Sequence, residues 1–334
     1  MDSRLNTEFE FLTQHSTHAI TISTTAKSAV PFNILPRRVL LNTAISSFMI
    51  NDKGKLKETL LFFDGQIDYI FIDIEQKQQI NLFKIANNIV KKSKLIAIKP
   101  NDTTLESCDI LIRNHFNDDL SDKNIIVIGT GNLASKTALR LAERQANVFI
   151  KGRSTEKENV LVNGLNNFLP KYSPKIKVFN QGYEIVKADI IVSFVSGYFK
   201  EEEILIPFIN ENTFIIDGGI NNFSSSFVKR MLNQETAITR LDTRIALPYQ
   251  LLSIHNYTIS FFNDIYGKTE LSQVPIVAGG FIGAEGMVIV DNIKNPNQII
   301  GIADGSGGVK KDEQLTKANR ESIRRIKETI SIGI

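Results

Sequence analysis

The stretch at residues 123–154 constrains the fold of this chain more than any other part of it. An apolar run at residues 125–128 predicts a buried strand, and a second run at residues 148–150 predicts another. Between the two runs, apolar or small residues recur at helical spacing, at Leu133, Thr137, Ala138 and Leu141. The predicted order is strand, glycine turn, helix, strand, which is typical of a doubly wound α/β sheet.

The turn after the first strand has the pattern GxGxxA. Gly129 permits a tight turn, Gly131 lets the backbone approach a pyrophosphate, and Ala134 allows the helix to pack closely on the strand. A pyrophosphate would lie on free N–H groups at the helix N-terminus, where the helix dipole favours negative charge. This context predicts a Rossmann domain that binds a dinucleotide through Gly129, Thr130, Gly131, Asn132, Leu133 and Ala134. The alternative is a glycine turn that only connects two elements.

The end of the second predicted strand distinguishes NAD from NADP. An acid at this place holds the ribose 2′-hydroxyl of NAD, whereas an arginine accommodates the 2′-phosphate of NADP. This chain has Lys151, Arg153 and Ser154 here, and no acid before Glu156. Two cations and a hydroxyl suit a phosphate dianion, so we predict NADP as the cofactor. The alternative is an ordinary solvated basic turn.

Composition limits the class of protein. A chain of 334 residues is long for one domain, and 42% hydrophobic with 22% charged residues is an ordinary globular composition. A net charge of +3 does not indicate a nucleic-acid partner. The single cysteine, Cys108, excludes an intrachain disulfide, and His15 and His18 alone are too few ligands to predict a metal site. With no signal-peptide pattern and no long apolar segment, we expect a cytoplasmic protein without a membrane partner.

Residues 1–122 predict an N-terminal α/β domain that binds the substrate. Short apolar runs predict strands at residues 19–22, 39–41, 69–72 and 95–98, and helical patterns occupy residues 55–63 and 79–92. This alternation favours a mostly parallel sheet, in which ligands gather beyond the carboxyl ends of the strands.

Polar residues follow the strands of this domain, namely Asn42 and Thr43, Asp73 and Glu75, and residues 99–103. Lys99 and Asp102 lie just past a strand end and form a candidate catalytic pair for proton transfer, with Asn101 beside them to bind substrate. Alternatively, Asn101 and Asp102 only cap the helix that follows Pro100.

The Rossmann domain is predicted to span residues 123–245. Further strands are expected at residues 175–179, 190–194 and 214–216, with a short helix at residues 183–187. Two strand ends carry small residues that should face the cofactor, with Val195, Ser196 and Gly197 at the nicotinamide ribose and Gly218 and Gly219 near the ring. Small residues also occur wherever a chain must bend, so position alone supports these roles.

Residues 246–334 have a looser pattern and are predicted to complete the interdomain cleft. Residues 278–286 and 304–308 are rich in glycine and form either ligand-facing loops or hairpin turns. An amphipathic helix at residues 313–330 is predicted to pack back across a domain or dimer surface rather than on a membrane. A homodimer is expected because two-fold dimers are the commonest assembly.

Residues 98–221 resemble the shikimate dehydrogenase superfamily. Gly129, Gly131 and Ala134 are similar to its glycine turn, and the segment Gly152, Arg153, Ser154 resembles its Asn-Arg-Thr clamp on the 2′-phosphate. A further strand and turn are similar at Ala188, Asp189, Ile190, Ile191, Ser196 and Gly197. The resemblance implies a substrate domain followed by an NADP-binding Rossmann domain.

Matches to this family are weaker elsewhere. Asn101 and Asp102 resemble its Asn-Thr-Asp segment, which implies that Asp102 is the catalytic aspartate. Ala284, Met287 and Asp291 resemble a helix that begins Gly-x-x-Met-Leu, with Asp291 in the place of a substrate-binding glutamine. The family's Ser-x-Ser clamp and Asn-Val-Thr-x-Pro-x-Lys stretch have no counterpart, so shikimate is not expected as the substrate, and Lys99 stands in for the catalytic lysine.

The leading prediction is an NADP-dependent dehydrogenase or reductase that passes hydride between the nicotinamide and a small polar molecule, a hydroxy or keto acid or an amine or imine. Residues 215–221 also resemble the VIDVGIN segment of methylenetetrahydrofolate dehydrogenases, which implies an alternative substrate class. A non-catalytic NADP-responsive protein, whose C-terminal helix meets a partner, is a further alternative because binding a dinucleotide does not imply chemistry. Reduction of a tRNA-linked acyl group would need a thiolate, which Asp102 near Cys108 disfavours.

Overall fold

The computed structural model describes residues 3–25, 30–180 and 187–332. The chain forms two compact units, Met1–Pro248 and Tyr249–Ile334. The first unit contains a five-stranded and a six-stranded sheet, and the second contains a four-stranded sheet. The predicted α/β class is confirmed, whereas the boundaries predicted at residues 122 and 245 stay predictions.

The first sheet has the order β2-β3-β1-β4-β5. Strands β1, β3, β4 and β5 are parallel, and only β2 runs antiparallel to its neighbour. Apolar residues of the strands pack with three helices into one core that includes Phe48, Phe63 and Ile70. The elements are α1 (Ser3–Leu12), β1 (Thr17–Ser23), β2 (Phe32–Leu40), β3 (Thr43–Ile50), α2 (Lys53–Phe63), β4 (Tyr69–Asp73), α3 (Leu82–Ile89) and β5 (Lys94–Ile98).

One expectation for this sheet is wrong. Leu41 and Asn42 have φ values of 48° and 61° and form a tight turn that sends β3 back along β2. Thr43 therefore pairs with Thr17 at the beginning of β1. Asn42 and Thr43 lie at the amino-terminal edge of the parallel strands, opposite the edge at which Asp73 ends β4. They cannot join the polar residues that follow β4 and β5.

The second sheet is entirely parallel, with the order β11-β10-β9-β6-β7-β8. This is the strand order of a Rossmann sheet, and apolar cores lie on both of its faces. The helix predicted at residues 183–187 lies outside the described residues, apart from Lys187. The elements are α4 (Pro100–His115), β6 (Asn124–Ile128), α5 (Asn132–Glu143), β7 (Asn147–Lys151), α6 (Thr155–Asn166), β8 (Lys177–Val178), β9 (Ile190–Ser193), β10 (Phe214–Asp217), α7 (Ser225–Asn233) and β11 (Ala237–Arg240).

The second unit is built on a sheet with the order β12-β13-β14-β15. The last helix lays Ile323, Ile326 and Ile330 on this sheet, so its apolar face packs back within its own unit rather than across a dimer surface. Residues 288–290 form a strand, so the helix implied by the resemblance at Ala284–Asp291 is wrong. The boundary between the units falls within α8 (Leu247–Leu252), and the elements after it are α9 (Asn256–Ile265), β12 (Lys268–Leu271), β13 (Val274–Ala278), β14 (Val288–Val290), β15 (Ile299–Ile302) and α10 (Lys317–Ile332).

Within the described ranges, every helix is too short or too polar to cross a lipid bilayer.

Asp64 joins the end of α2 to the segment before β5. Its carboxylate accepts backbone N–H hydrogen bonds from Lys91, Lys92 and Ser93, each at 2.9 Å. Burial by itself would raise the pKa of Asp64, but the three hydrogen bonds and the nearby Lys92 ammonium lower it below its usual value. The ionised carboxylate therefore stabilises this junction.

We expect Asp64→Asn to lower the free energy of unfolding by about 1–2 kcal/mol at neutral pH, because the Lys91 N–H loses its acceptor and the other two N–H groups face a neutral oxygen. Since the folded-state pKa of Asp64 is depressed, its contribution is present above the unfolded pKa of about 4 and is lost as the pH falls through the folded pKa. Urea unfolding at neutral pH and at acid pH tests this. A difference between wild type and variant that stays constant with pH would contradict it.

Candidate active site

The glycine turn leaves the N-terminus of α5 open to a ligand. Gly129 has a φ of +129°, and a Cβ there would lie 3.1 Å from the Phe194 carbonyl oxygen, so the turn requires glycine. A Cβ on Gly131 would meet nothing within 4 Å. Gly131 is the N-cap of α5, and no side chain caps this end. The first N–H groups of α5, from Asn132 to Ala134, are thus available to an anion.

A cleft of about 190 Å³ lies beside this turn. It brings together three parts of the Rossmann sheet that are distant in sequence, namely the ends of β6, β7 and β9. Ligands of open parallel sheets bind at such carboxyl ends, where the strand order reverses. The lining residues are Gly129, Thr130, Gly131, Gly152, Arg153, Phe194, Val195, Ser196 and Phe199.

The three polar residues predicted to hold a 2′-phosphate do not act together. Arg153 is exposed and lines the cleft. Ser154 is the N-cap of α6, and its side chain makes no capping hydrogen bond. Lys151, by contrast, points at two carboxylates, with its ammonium 3.2 Å from Glu201 and 3.5 Å from Glu158. Arg153 and Ser154 are thus open to a ligand, whereas the Lys151 ammonium is already paired, and the assignment of all three to a 2′-phosphate stays a prediction.

Glu158 is a buried residue that the sequence analysis missed. It is 2% exposed, and its carboxylate accepts the Gly152 N–H at 2.7 Å. A Cβ on Gly152 would lie 2.6 Å from the Thr130 methyl group and 3.2 Å from Glu158 Cγ, so glycine is needed here for packing. Because the Glu158 carboxylate is buried and already accepts the Gly152 N–H, it cannot serve as the exposed acid that recognises a ribose 2′-hydroxyl.

The turn after β9 is organised by Asn222, a fully buried residue that the sequence analysis also missed. Its amide donates to the carbonyl oxygens of Val195 at 3.0 Å and Gly197 at 2.7 Å, and its side-chain oxygen accepts the Val195 N–H at 3.2 Å. Gly197 has a φ of +104°, which favours glycine. Asn222 therefore holds the backbone of Val195, Ser196 and Gly197 in place beside the cleft.

Gly218 and Gly219 have packing roles. A Cβ on Gly218 would lie 2.3 Å from the Phe194 ring, and one on Gly219 would lie 2.5 Å from the Asn222 side chain. Both glycines thus let Phe194 and Asn222 shape the turn after β9. Proximity of the two glycines to a nicotinamide ring stays a prediction.

Lys99 and Asp102 form a pair at the carboxyl edge of the first sheet. Pro100 begins α4 and Lys99 is its N-cap, with the Lys99 ammonium 2.5 Å from one Asp102 oxygen. The other Asp102 oxygen accepts a hydrogen bond at 2.8 Å from Lys136, which lies on α5. Burial by itself would raise the pKa of Asp102, but the two lysines lower it. Asp102 is therefore a carboxylate held between the carboxyl edge of the first sheet and α5, the helix that follows the glycine turn.

A second charged group adjoins this pair. Asp73 is buried, and burial raises its pKa although the Lys77 ammonium lies 3.1 Å away. Lys77 also contacts Glu75 at 2.9 Å, and Glu75 accepts the Asn101 backbone N–H at 2.9 Å. The two groups are joined through the Asn101 backbone N–H, and together they form a network of acids and lysines at the ends of β4 and β5.

Two further residues considered in the sequence do not join this network, Asp291 as a predicted substrate ligand and Cys108 as a thiol not expected to react. The Asp291 carboxylate accepts the backbone N–H groups of Asn297 and Gln298 at 2.9 Å within its own loop, so its role in substrate binding has no geometric support. Cys108 is fully buried, and burial first and Asp109 second raise the pKa of its thiol to about 12. The thiol is therefore unreactive, but because of burial and Asp109 rather than Asp102.

Sequence signals for the missed residues were uneven. Lys77 follows Asp73 and Glu75 by a few residues at the same strand end, so its position was a usable signal. Lys136 had no such signal, because every turn of α5 contains polar residues and nothing in the sequence distinguishes Lys136 from them. Only the packing of α5 on α4 brings Lys136 to Asp102.

The fold and the cleft define a Rossmann-type α/β protein with an additional N-terminal sheet. Residues 110–198 match the family described as Shikimate / quinate 5-dehydrogenase, so the resemblance to the shikimate dehydrogenase superfamily is confirmed over this stretch. No curated protein matches the chain.

Solved structures show a distant similarity. A shikimate dehydrogenase in complex with NADP⁺ is 16% identical, with a TM-score of 0.44 over 72% of this chain and 91% of that one. Shikimate dehydrogenase from Aquifex aeolicus is 19% identical, with a TM-score of 0.41 over 72% and 93%. L-tryptophan dehydrogenase from Nostoc punctiforme is 13% identical, with a TM-score of 0.42 over 73% and 75%.

Proposed function

We propose that this protein is an NADP-dependent oxidoreductase that transfers hydride between the nicotinamide and a small polar substrate, a hydroxy or keto acid or an amine or imine. The observation that most supports this proposal is the hydrogen bond from Lys136 to Asp102. It places the charged network of the first sheet directly beside α5, the helix whose open N-terminus would hold the pyrophosphate. The family match at residues 110–198 supports dehydrogenase chemistry.

The cofactor supplies the hydride when bound, and the protein must position the substrate carbon and move one proton. The Asp102 carboxylate raises the pKa of Lys99, so Lys99 stays an ammonium that can orient a substrate oxygen or carboxylate. The Lys77 side chain is less exposed than that of Lys99, at 16% against 47%, and its ammonium lies 3.1 Å from the Asp73 carboxyl group, with which it can exchange a proton. We assign proton transfer to the pair Lys77 and Asp73, and orientation to Lys99 and Asp102.

The residues at the end of β7 support NADP rather than NAD as the cofactor. Arg153 is an exposed guanidinium in the cleft, and Ser154 leaves its hydroxyl and the N-terminus of α6 open. A 2′-phosphate would receive charge-assisted hydrogen bonds from Arg153 and lie at the positive end of a helix dipole. The buried Glu158 presents no competing carboxylate to this phosphate.

Calorimetric titration with NADPH and NADH tests the cofactor assignment. We expect NADPH to bind more tightly, and Arg153→Ala to weaken NADPH binding by about 10- to 100-fold with little change for NADH, because a charged hydrogen bond contributes about 1.5–3 kcal/mol.

Two matched variants serve as controls. Lys157→Ala removes an exposed cation from α6, the helix that follows Arg153, and should leave both affinities unchanged. Lys151→Ala should also have little effect on the preference, because its ammonium already faces Glu201 and Glu158. If neither dinucleotide binds, the proposed function is wrong.

A further inference from the structure

We propose that α8 and α9 form a two-fold dimer interface with a second copy of this chain. The helix α9 (Asn256–Ile265) has no buried residue, although it carries aromatic side chains at successive turns. Exposed apolar and aromatic side chains extend from α8 to the residue after α9, and together they are named the aromatic surface. Its members are Tyr249, Leu252, Tyr257, Phe261, Phe262 and Tyr266, which are between 44% and 72% exposed.

The aromatic surface is ordered rather than scattered. The rings of Tyr257 and Phe261 stack at 6.2 Å, and those of Phe262 and Tyr266 stack at 5.5 Å. Residues four apart lie next to each other on a helix, so the two stacked pairs form adjacent rows. Tyr266 is further held edge-on by Phe281 at 5.4 Å. Stacked rings of this kind form a preorganised apolar face, which lowers the entropic cost of association.

The size of the aromatic surface suits a protein interface. A buried aromatic side chain contributes about 150–250 Å², so five half-exposed rings and one leucine leave roughly 600 Å² open per protomer. This is at the upper limit of the largest apolar patch on a typical monomer, about 300–600 Å². It is also most of the roughly 800 Å² that each partner buries in a stable complex, before any polar rim is counted.

The scarcity of charged residues in the aromatic surface favours a second copy of this chain as its partner. Asp264 is the only Asp, Glu, Lys or Arg between residues 249 and 266. An anionic membrane or a nucleic acid would require basic residues at the contact. An unlike protein partner would normally be selected by complementary charge, which this surface lacks. A two-fold interface needs no such complementarity, because the same apolar rows meet each other across the axis.

Sedimentation velocity of the full chain at micromolar concentration tests the proposal. We expect a dimer for the wild type and monomers for Phe261→Glu and Phe262→Glu, because each variant buries two like charges across the axis. Phe168→Glu is the matched control, since Phe168 is 73% exposed in a different part of the chain, and it should stay dimeric. Circular dichroism melting establishes that each variant folds.

Cross-linking keeps the proposal testable if the glutamate variants fail to fold. Cys108 is fully buried, so an introduced cysteine is the only reactive thiol. Ser260→Cys, on α9, should give a covalent dimer with a short bis-maleimide, whereas Ser121→Cys should not. A monomeric wild type, a dimer that survives both glutamate substitutions, or a monomer that instead floats with neutral phosphatidylcholine vesicles would each overturn the proposal.

Discussion

Replacing Asp109 with alanine is expected to lower the free energy of unfolding by about 3 kcal/mol, because removal of one partner from a buried ion pair strands the other charges. Asp109 is 3% exposed, and each of its oxygens accepts a 2.7 Å hydrogen bond from the Arg144 guanidinium. Arg113 and Arg140 lie 3.8 Å and 3.9 Å from the same carboxylate. Without Asp109, three arginines would face one another between α4 and α5.

Urea unfolding of Asp109→Ala measures this effect, and Glu106→Ala is the matched control. Glu106 lies on the same helix and contacts Arg140 at 2.6 Å, but both side chains are about one-third exposed to solvent. Exposed pairs of this kind contribute about 0–1 kcal/mol. If Asp109→Ala and Glu106→Ala lower the free energy of unfolding equally, the burial of Asp109 does not make its ion pairs more stabilising than that of Glu106.

Replacing Lys77 with methionine is expected to lower turnover by about 10²- to 10⁴-fold, the usual contribution of a positioned acid or base. Methionine keeps much of the length of lysine but cannot exchange a proton with Asp73. Because Lys99 is assigned to orientation, Lys99→Met should mainly raise KM and lower kcat far less.

The rate of NADPH formation, measured with the hydroxy acid or amine that gives activity in a substrate screen, separates the two lysines. Asp73→Asn should reproduce most of the loss in kcat, because Asp73 is the buried partner of Lys77 at 3.1 Å. Calorimetry with NADPH should give unchanged affinities for all three variants, since none of the three residues lines the cleft beside the glycine turn. A Lys77→Met variant with wild-type kcat would assign proton transfer elsewhere.

Elements with strong local patterns were predictable from the sequence. The glycine turn, the strands beside it and the open N-terminus of α5 follow from glycine conformational freedom and apolar periodicity, which act over a few neighbouring residues. The α1 helix and the β3 strand were missed. The α1 helix is rich in polar residues, and β3 contains Ser46 and Ser47, which interrupt its apolar pattern.

Strand direction and side-chain partners were decided by the tertiary structure. The sequence predicted a candidate pair at Lys99 and Asp102, but only packing of α4 on α5 brings Lys136 to the same carboxylate. Likewise, Lys151 has the residue type of a phosphate ligand, yet Glu158 and Glu201 surround its ammonium. Periodicity and turn chemistry are local properties of the chain and can be read directly. A charge acquires its partner and its degree of burial only when distant segments meet, so the roles of these lysines depend on the folded arrangement.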